Sequence, residues 1–262
     1  MRRNILMSFI WVPRVVLLPV LAASVVFGCA GSETGNGGRD ERPGQIWFRL
    51  CDGGALIDGE HESVDAGGTT YVLEQAIARS NAIRIEFSGG NCADGFGWSC
   101  VKEKRALEKK GAWVVDFLRG LVEPQLWMPA DVDFGRVSEI RVKWDAHEEP
   151  TVEVRGRLQL PDEGEWRPFA VILDIEGLTR FMPKPEALDA LTSADDSWVL
   201  ELDPKRWFET IDIAPCVLAG HIPTDDGGAL LLDQAERQCR SVPVGIAVGF
   251  RTDGVANQPR SR

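Results

Sequence analysis

Five cysteines, Cys51, Cys92, Cys100, Cys216 and Cys239, are spread through the 262-residue chain, downstream of a sixth at position 29. None of the five is in the close Cys-x-x-Cys spacing of a zinc site or a dithiol redox centre, so their expected chemistry is disulfide formation. Cys92 and Cys100 flank a short loop and Cys216 and Cys239 flank a hairpin, which makes these the two candidate disulfides and leaves Cys51 as the odd thiol. The three histidines, His61, His147 and His221, stand outside any zinc-hydrolase spacing. His147 beside Asp145, Glu148 and Glu149 reads as a charged hairpin turn. Asp131 and Asp133 before Gly135 carry the oxygen donors that calcium prefers, but aspartates at this spacing also build turns, and no metal or cofactor is assigned. There is no Gly-x-Ser-x-Gly elbow for a serine nucleophile. The pairs Asp195-Asp196 and Asp225-Asp226 carry no glycosidase signal in so acidic a chain. Phe96 and Trp98 are the remaining candidates, in the Gly-rich loop between Cys92 and Cys100. A loop stiffened by a disulfide can present aromatic rings to a sugar or a partner protein; the alternative is that Trp98 folds back as a lid on the body.

What must carry and place these residues begins at the N-terminus. Met1-Arg2-Arg3 opens the chain, and residues 15–27 form an apolar run broken only by Pro19 and Ser24 before Gly28-Cys29. A basic start, an apolar stretch and a small residue at the cut are the parts of a secretory signal. Thirteen residues would extend about 20 Å as a helix, short of the roughly 30 Å of bilayer hydrocarbon, and Arg14 blocks extension. Val26-Phe27-Gly28-Cys29 resembles a lipobox, with Phe27 bulkier than the usual small residue there. The resemblance implies cleavage after Gly28 and a lipid on the Cys29 thiol. Two or more acyl chains hold a protein firmly to a membrane. Ala30 stands where an aspartate would retain such a protein at the inner membrane, which favours the outer membrane. Residues 30–45 are rich in Gly and charge without apolar periodicity, as in a flexible tether.

Removing residues 1–28 takes away Arg2, Arg3 and Arg14 and no acid, so the formal charge of −11 becomes −14. Such a charge argues against nucleic acid and anionic head groups as partners of the body. The expected partners are the membrane, through the N-terminal lipid, and an envelope protein or glycan.

From residue 46 a period-two alternation recurs. Ile46, Phe48 and Leu50 alternate with Trp47 and Arg49, and Ile83, Ile85 and Phe87 with Arg84 and Glu86. Ile140, Val142 and Trp144, then Val152, Val154, Leu158 and Leu160, form the clearest pair, joined by the turn at 145–150. Phe169, Val171, Leu173 and Ile175 continue it, followed by Trp198, Leu200 and Leu202 and by Ile246, Val248 and Phe250. This alternation marks half-buried antiparallel strands. Helix signals are short: 71–79, 103–110, 185–191, and Lys205-Arg206-Trp207-Phe208 behind the cap Asp203-Pro204. Asp52-Gly-Gly-Ala-Leu56 recurs as Asp226-Gly-Gly-Ala-Leu230, which reads as repeated turn chemistry. Trp113, Trp144 and Trp198 at strand positions are expected in the core. The expected fold is all-β, an antiparallel sandwich with a few short helices. Its expected limits are a signal peptide at 1–28, a lipidated linker at 29–45, the sandwich at 46–251 and a disordered tail at 252–262.

Residues 113–203 resemble a family of exported bacterial lipoproteins with a domain of unassigned function. Its pattern is a Val-Asp-Leu-Leu strand followed by Gly-x-Tyr-x-x-Ile-Arg-Leu. Here the matching residues are Val115-Asp116-Phe117-Leu118 and Gly135-Arg136-Val137-Ser138-Glu139-Ile140-Arg141-Val142, with Phe117 for Leu and Val137 for Tyr. The resemblance implies export and a β-sandwich and transfers no catalytic residue. The expected function is therefore a non-enzymatic binding or structural module of the cell envelope. The rival is an envelope hydrolase or metal-dependent enzyme built from scattered carboxylates with His147 or His221.

Overall fold

The computed structural model describes residues 45–52, 55–56, 60–89, 92, 94–95, 97–128, 136–145, 149–184, 198–208, 212–251 and 254–257. The chain divides into residues 1–39 and 40–262, and every described residue belongs to the second unit. Among the described residues no helix is long and apolar enough to cross a membrane.

The fold is all-β and sandwich-like, with strands as its dominant element. In chain order these are β1 (Ile46–Asp52), β2 (Ala55–Leu56), β3 (His61–Val64), β4 (Thr70–Phe87), β5 (Ser99–Val101), β6 (Ala106–Asp116) and β7 (Leu121–Glu123). After them come β8 (Val137–Trp144), β9 (Val152–Gln159), β10 (Trp166–Leu173), β11 (Gly177–Pro183), β12 (Trp198–Leu202), β13 (Leu230–Leu231) and β14 (Gly254–Asn257). Three helices are described: α1 (Lys205–Phe208), α2 (Ala214–Leu218) and α3 (Ser241–Gly249). The main path of pairing runs β13-β10-β9-β4-β8-β11-β14-β12-β1-β2, with β3 and β6 also on β4. Most pairs are antiparallel; β1–β12, β10–β13 and β11–β14 are parallel.

β4 organises the molecule. Its first half pairs with β3 and β9, its second half with β6 and β8, and the register slips at Ser80/Ala82 against both β6 and β8. A bulge of this kind bends a strand and lets it pass from one packed layer to the next. β8 and β9 therefore do not form the expected hairpin. They lie end to end along one edge of β4, Trp144 opposite Ser80 and Val152 opposite Ala78. Arg79 fills the seam between them. Its amide donates to the Thr151 carbonyl at 2.8 Å, and its carbonyl accepts from the Asp145 amide at 3.1 Å. Its guanidinium donates to the Pro150 carbonyl at 2.7 Å and pairs with Glu149 at 2.5 Å. Asn81 and Lys143 both donate to Asp145 Oδ2. Asp145, Glu149 and Pro150 thus clamp the seam; residues 146–148, His147 and Glu148 among them, lie outside the described residues. Gly156 is required where β9 meets β4, because a Cβ there would stand 2.0 Å from the Val72 carbonyl oxygen.

Four other expectations are corrected. Residues 71–79 lie in β4, although Leu73 and Ile77 are four apart, because the strand is paired on both sides and tertiary pairing overrides local propensity. Residues 103–110 are the end of a 3-10 turn followed by β6. Ile246 and Val248 lie in α3, whose buried residues are Val242, Pro243, Ile246 and Gly249. The tail is not wholly outside the body: Gly254–Asn257 is β14, inserted between β11 and β12. The polar composition of the tail hid Ala256, which is fully buried there. Residues 185–191 and 258–262 lie outside the described residues.

The core is aromatic. Phe48, Phe117, Trp144, Phe181 and Phe250 meet with centroids 5.4 to 6.1 Å apart, mostly edge to face. Trp113, Trp144 and Trp198 are buried as expected. The Trp144 indole N–H is satisfied by Thr179 Oγ1 at 2.6 Å, and Thr179 in turn donates to the Phe250 carbonyl, which ties α3 to the sheet.

Candidate functional site

The loop between Cys92 and Cys100 was the expected binding surface. The disulfide forms, with Cα atoms 5.5 Å apart. Gly95 and Trp98 exchange backbone hydrogen bonds at 2.8 and 3.1 Å, Gly97 turns the chain at φ +76°, and Asp94 Oδ1 accepts from the Cys100 amide. β5 then pairs with β6, which aims Trp98 inward. Its ring is 2 % exposed, its Nε1–H donates to the Trp127 carbonyl at 2.8 Å, and Lys109 Nζ lies 5.8 Å from its centroid. Trp98 is therefore a plug, not a platform, and the lid alternative is the one observed. Burial lowers the pKa of Lys109 beside it. Phe96 lies outside the described residues, as do Gly28, Cys29, Asp131, Asp133, Gly135, Asp195 and Asp196.

The second disulfide, Cys216–Cys239, also forms and ties α2 to a 3-10 turn at Arg237–Cys239. Between its ends His221 Nδ1 meets Glu236 at 3.0 Å, at half-exposed positions. Cys51 is buried and belongs to neither disulfide. Among the described residues no group of three or more His, Cys, Asp or Glu side chains is arranged to hold a metal.

The sequence reading missed a row of buried polar side chains on β3. His61, Ser63 and Asp65 share one face at period two, each less than a tenth exposed. Ser63 Oγ and His61 Nε2 are 3.0 Å apart. Asp65 Oδ1 accepts from the amides of Gly67 and Thr69 at 2.9 Å, while Oδ2 accepts from Tyr71 Oη at 2.9 Å and from the Ile213 amide at 3.4 Å. Tyr71 stacks on Phe208 of α1 at 4.4 Å. Its phenol pKa is pushed far above the ordinary value, first by burial and then by Asp65 and Asp212. A hydroxyl beside an imidazole has the parts of a nucleophile and base, but a nucleophile also needs substrate access, and this pair is buried on a strand against which α1 packs. The row reads as a knot fastening the 212–213 segment to the sheet. Part of the signal was legible: His61 and Ser63, two apart, lead into Asp65-Ala66-Gly67-Gly68, an Asp-x-Gly-Gly turn.

That signal repeats. Asp225 makes the same turn as Asp65: Oδ1 accepts from the amides two and four residues on, Gly227 and Ala229, at 2.9 and 2.8 Å. Gly68 and Gly228 stand at equivalent places with φ +86° and +83°, and each donates its amide to the carbonyl of its aspartate. This Asp-x-Gly-Gly pair is distinct from the Asp52/Asp226 repeat noted in the sequence, whose first copy includes Gly53 and Gly54, outside the described residues.

One concave feature lies where the described chain begins. Gln45, Ile46 and Trp47 on one side and Gly120, Leu121, Val122, Gln125 and Leu126 on the other line a small, shallow cleft open to solvent. It exists because β1 is held to the 117–127 segment at its two ends, by Ile46 N–H to the Leu126 carbonyl (2.9 Å) and Leu50 N–H to the Phe117 carbonyl (3.3 Å). Asp116 Oδ1 shapes the segment by accepting from the amides of Leu118 and Arg119. This gives Val115-Asp116-Phe117-Leu118 a physical role: the aspartate turns the chain and Phe117 and Leu118 enter the core. Leu121 stands 47 % exposed on the lip.

Comparison with family models, curated proteins and solved structures gave no match to this chain.

Proposed function

We propose that the protein is a lipid-tethered component of the cell envelope, anchored at the outer membrane, whose body is a non-enzymatic binding or structural module. The observation that carries this reading is the order basic start, apolar run, Gly28-Cys29 at the head of a chain whose body closes two disulfides. Disulfides form and persist in oxidising compartments, which an exported chain reaches. Among the described residues, groups the rival enzyme would recruit are engaged elsewhere: His221 with Glu236, Asp145 with Asn81 and Lys143, Asp225 with turn amides. These contacts support a structural use of those residues.

The test is metabolic labelling with an alkyne-bearing palmitate in the native host. The wild-type chain and Cys51→Ser should both take up label and Cys29→Ser should not. Equal labelling of Cys29→Ser would remove the anchor from the account.

A further inference from the structure

The cleft sits beside the residue where the expected tether joins the body, since Gln45 lines it. Fifteen residues lie between Cys29 and Gln45, a reach of roughly 20–25 Å for a Gly-rich linker. A compact body of about 220 residues spans roughly 45 Å, by the usual scaling of radius with length. A tether of that reach would be shorter than the body, so the surface around its root would spend most time nearest the lipid.

That surface has the chemistry of an interface. Leu121 is 47 % exposed on the lip, and Ile46, Trp47, Val122 and Leu126 form the apolar wall and floor. Trp47 is half-buried with its indole N–H facing inward, so what it offers the lip is apolar ring surface. Charge agrees. The described ionic residues closest in sequence to the cleft lining, Arg49, Arg119, Asp116 and Glu123, sum to zero in a chain whose formal charge is −11. Anionic head groups repel the acidic body as a whole, so a locally neutral pole is the one that approaches at least cost.

We propose that the lip of this cleft, centred on Leu121 and Trp47, is the surface on which the body rests against the phospholipid interface. The inference depends on the lipid anchor at Cys29. It assigns the protein an orientation: the face at the tether root lies on the membrane, and the rest of the body points into the aqueous phase. The apolar positions on α3, Val244 and Val248, are 58 % and 52 % exposed but carry no tether, and they serve as the control.

The experiment uses the mature lipidated chain purified from membranes and reconstituted in vesicles of phosphatidylcholine and phosphatidylglycerol. A fluorophore is placed at Leu121→Cys in one preparation and at Val248→Cys in another, both exposed positions. Nitroxide-bearing lipids should quench the label at 121 several-fold more than the label at 248. Equal quenching, or stronger quenching at 248, with the chain still floating with the vesicles, overturns the docking surface and leaves the anchor standing. A chain that does not float with vesicles overturns the anchor and the surface together. As a second readout, Leu121→Asp in the lipidated chain should lower quenching of a label at Gln125→Cys without changing flotation; unchanged quenching counts against the proposal.

Discussion

At the residue scale, burial decides what each polar group does. Asp65 and Asp225 build the same turn, but Asp65 also takes the Tyr71 hydroxyl and the Ile213 amide in a buried site. Removing a partner from a buried group costs its desolvation as well as its bond. Asp65→Ala should cost about 2–4 kcal/mol and Asp225→Ala about 1 kcal/mol or less, in urea unfolding of the two variants. Equal costs would mean that the two turns carry the same load. Tyr71 adds a pH dependence. Its folded pKa is raised above the unfolded value near 10, so its share of stability is complete below about pH 10 and falls as pH rises beyond it. Tyr71→Phe should be less stable near neutral pH and should show a shallower alkaline loss than wild type. Of the two readings, platform and lid, Trp98 is the lid. Its Gly-rich, cysteine-flanked setting looks like an exposed loop, and only the pairing of β5 with β6 turns the ring inward. Trp98→Ala should lower stability by about 3–5 kcal/mol, as for a buried tryptophan; a change under 1 kcal/mol would return it to the surface.

At the element scale, most strands were legible because one face of each packs on the core. Ile140, Val142 and Trp144 on β8, and Val152, Val154 and Leu158 on β9, are all fully buried. What period two cannot report is partner and length. β8 and β9 have the pattern of a hairpin, yet they follow one another along β4, a distinction written only in the bulge at Ser80/Ala82. β12 departs from alternation altogether, since all five of its residues, Glu201 included, are buried. α3 was hidden because Val, Gly and Pro are poor helix formers, and packing on the core rather than propensity sustains it. Of the candidate site, both cysteine pairings were legible from spacing. The cleft was not, because it lies between β1 and a segment some 75 residues later. The seam offers a direct check on this topology. Arg79→Ala should destabilise the fold by about 2–3 kcal/mol, since it removes the donor to Pro150 and the partner of Glu149 in one change. An effect within 0.5 kcal/mol, read from the denaturant midpoint, would contradict the clamp.

At the scale of the whole molecule, the β body closes two disulfides, and the proposed lipid at Cys29 would carry it. By loop-closure entropy the two disulfides, spanning 8 and 23 residues, contribute about 2.5 and 3.5 kcal/mol. Such contributions suit the oxidising envelope compartment proposed above, where disulfides persist. The anchor, the envelope location and the inferred orientation all depend on the chemistry at residue 29. The most direct test is the intact mass of the mature chain purified from its native membrane, with alkylation of thiols before and after reduction. The account predicts a chain beginning at Cys29 and heavier than its polypeptide by a diacylglyceryl group and an amide-linked acyl chain. It also predicts that one thiol, Cys51, reacts in the unfolded, unreduced chain and five react after reduction. A chain that keeps residues 1–28, or an unmodified Cys29 that adds a sixth reactive thiol, would contradict it.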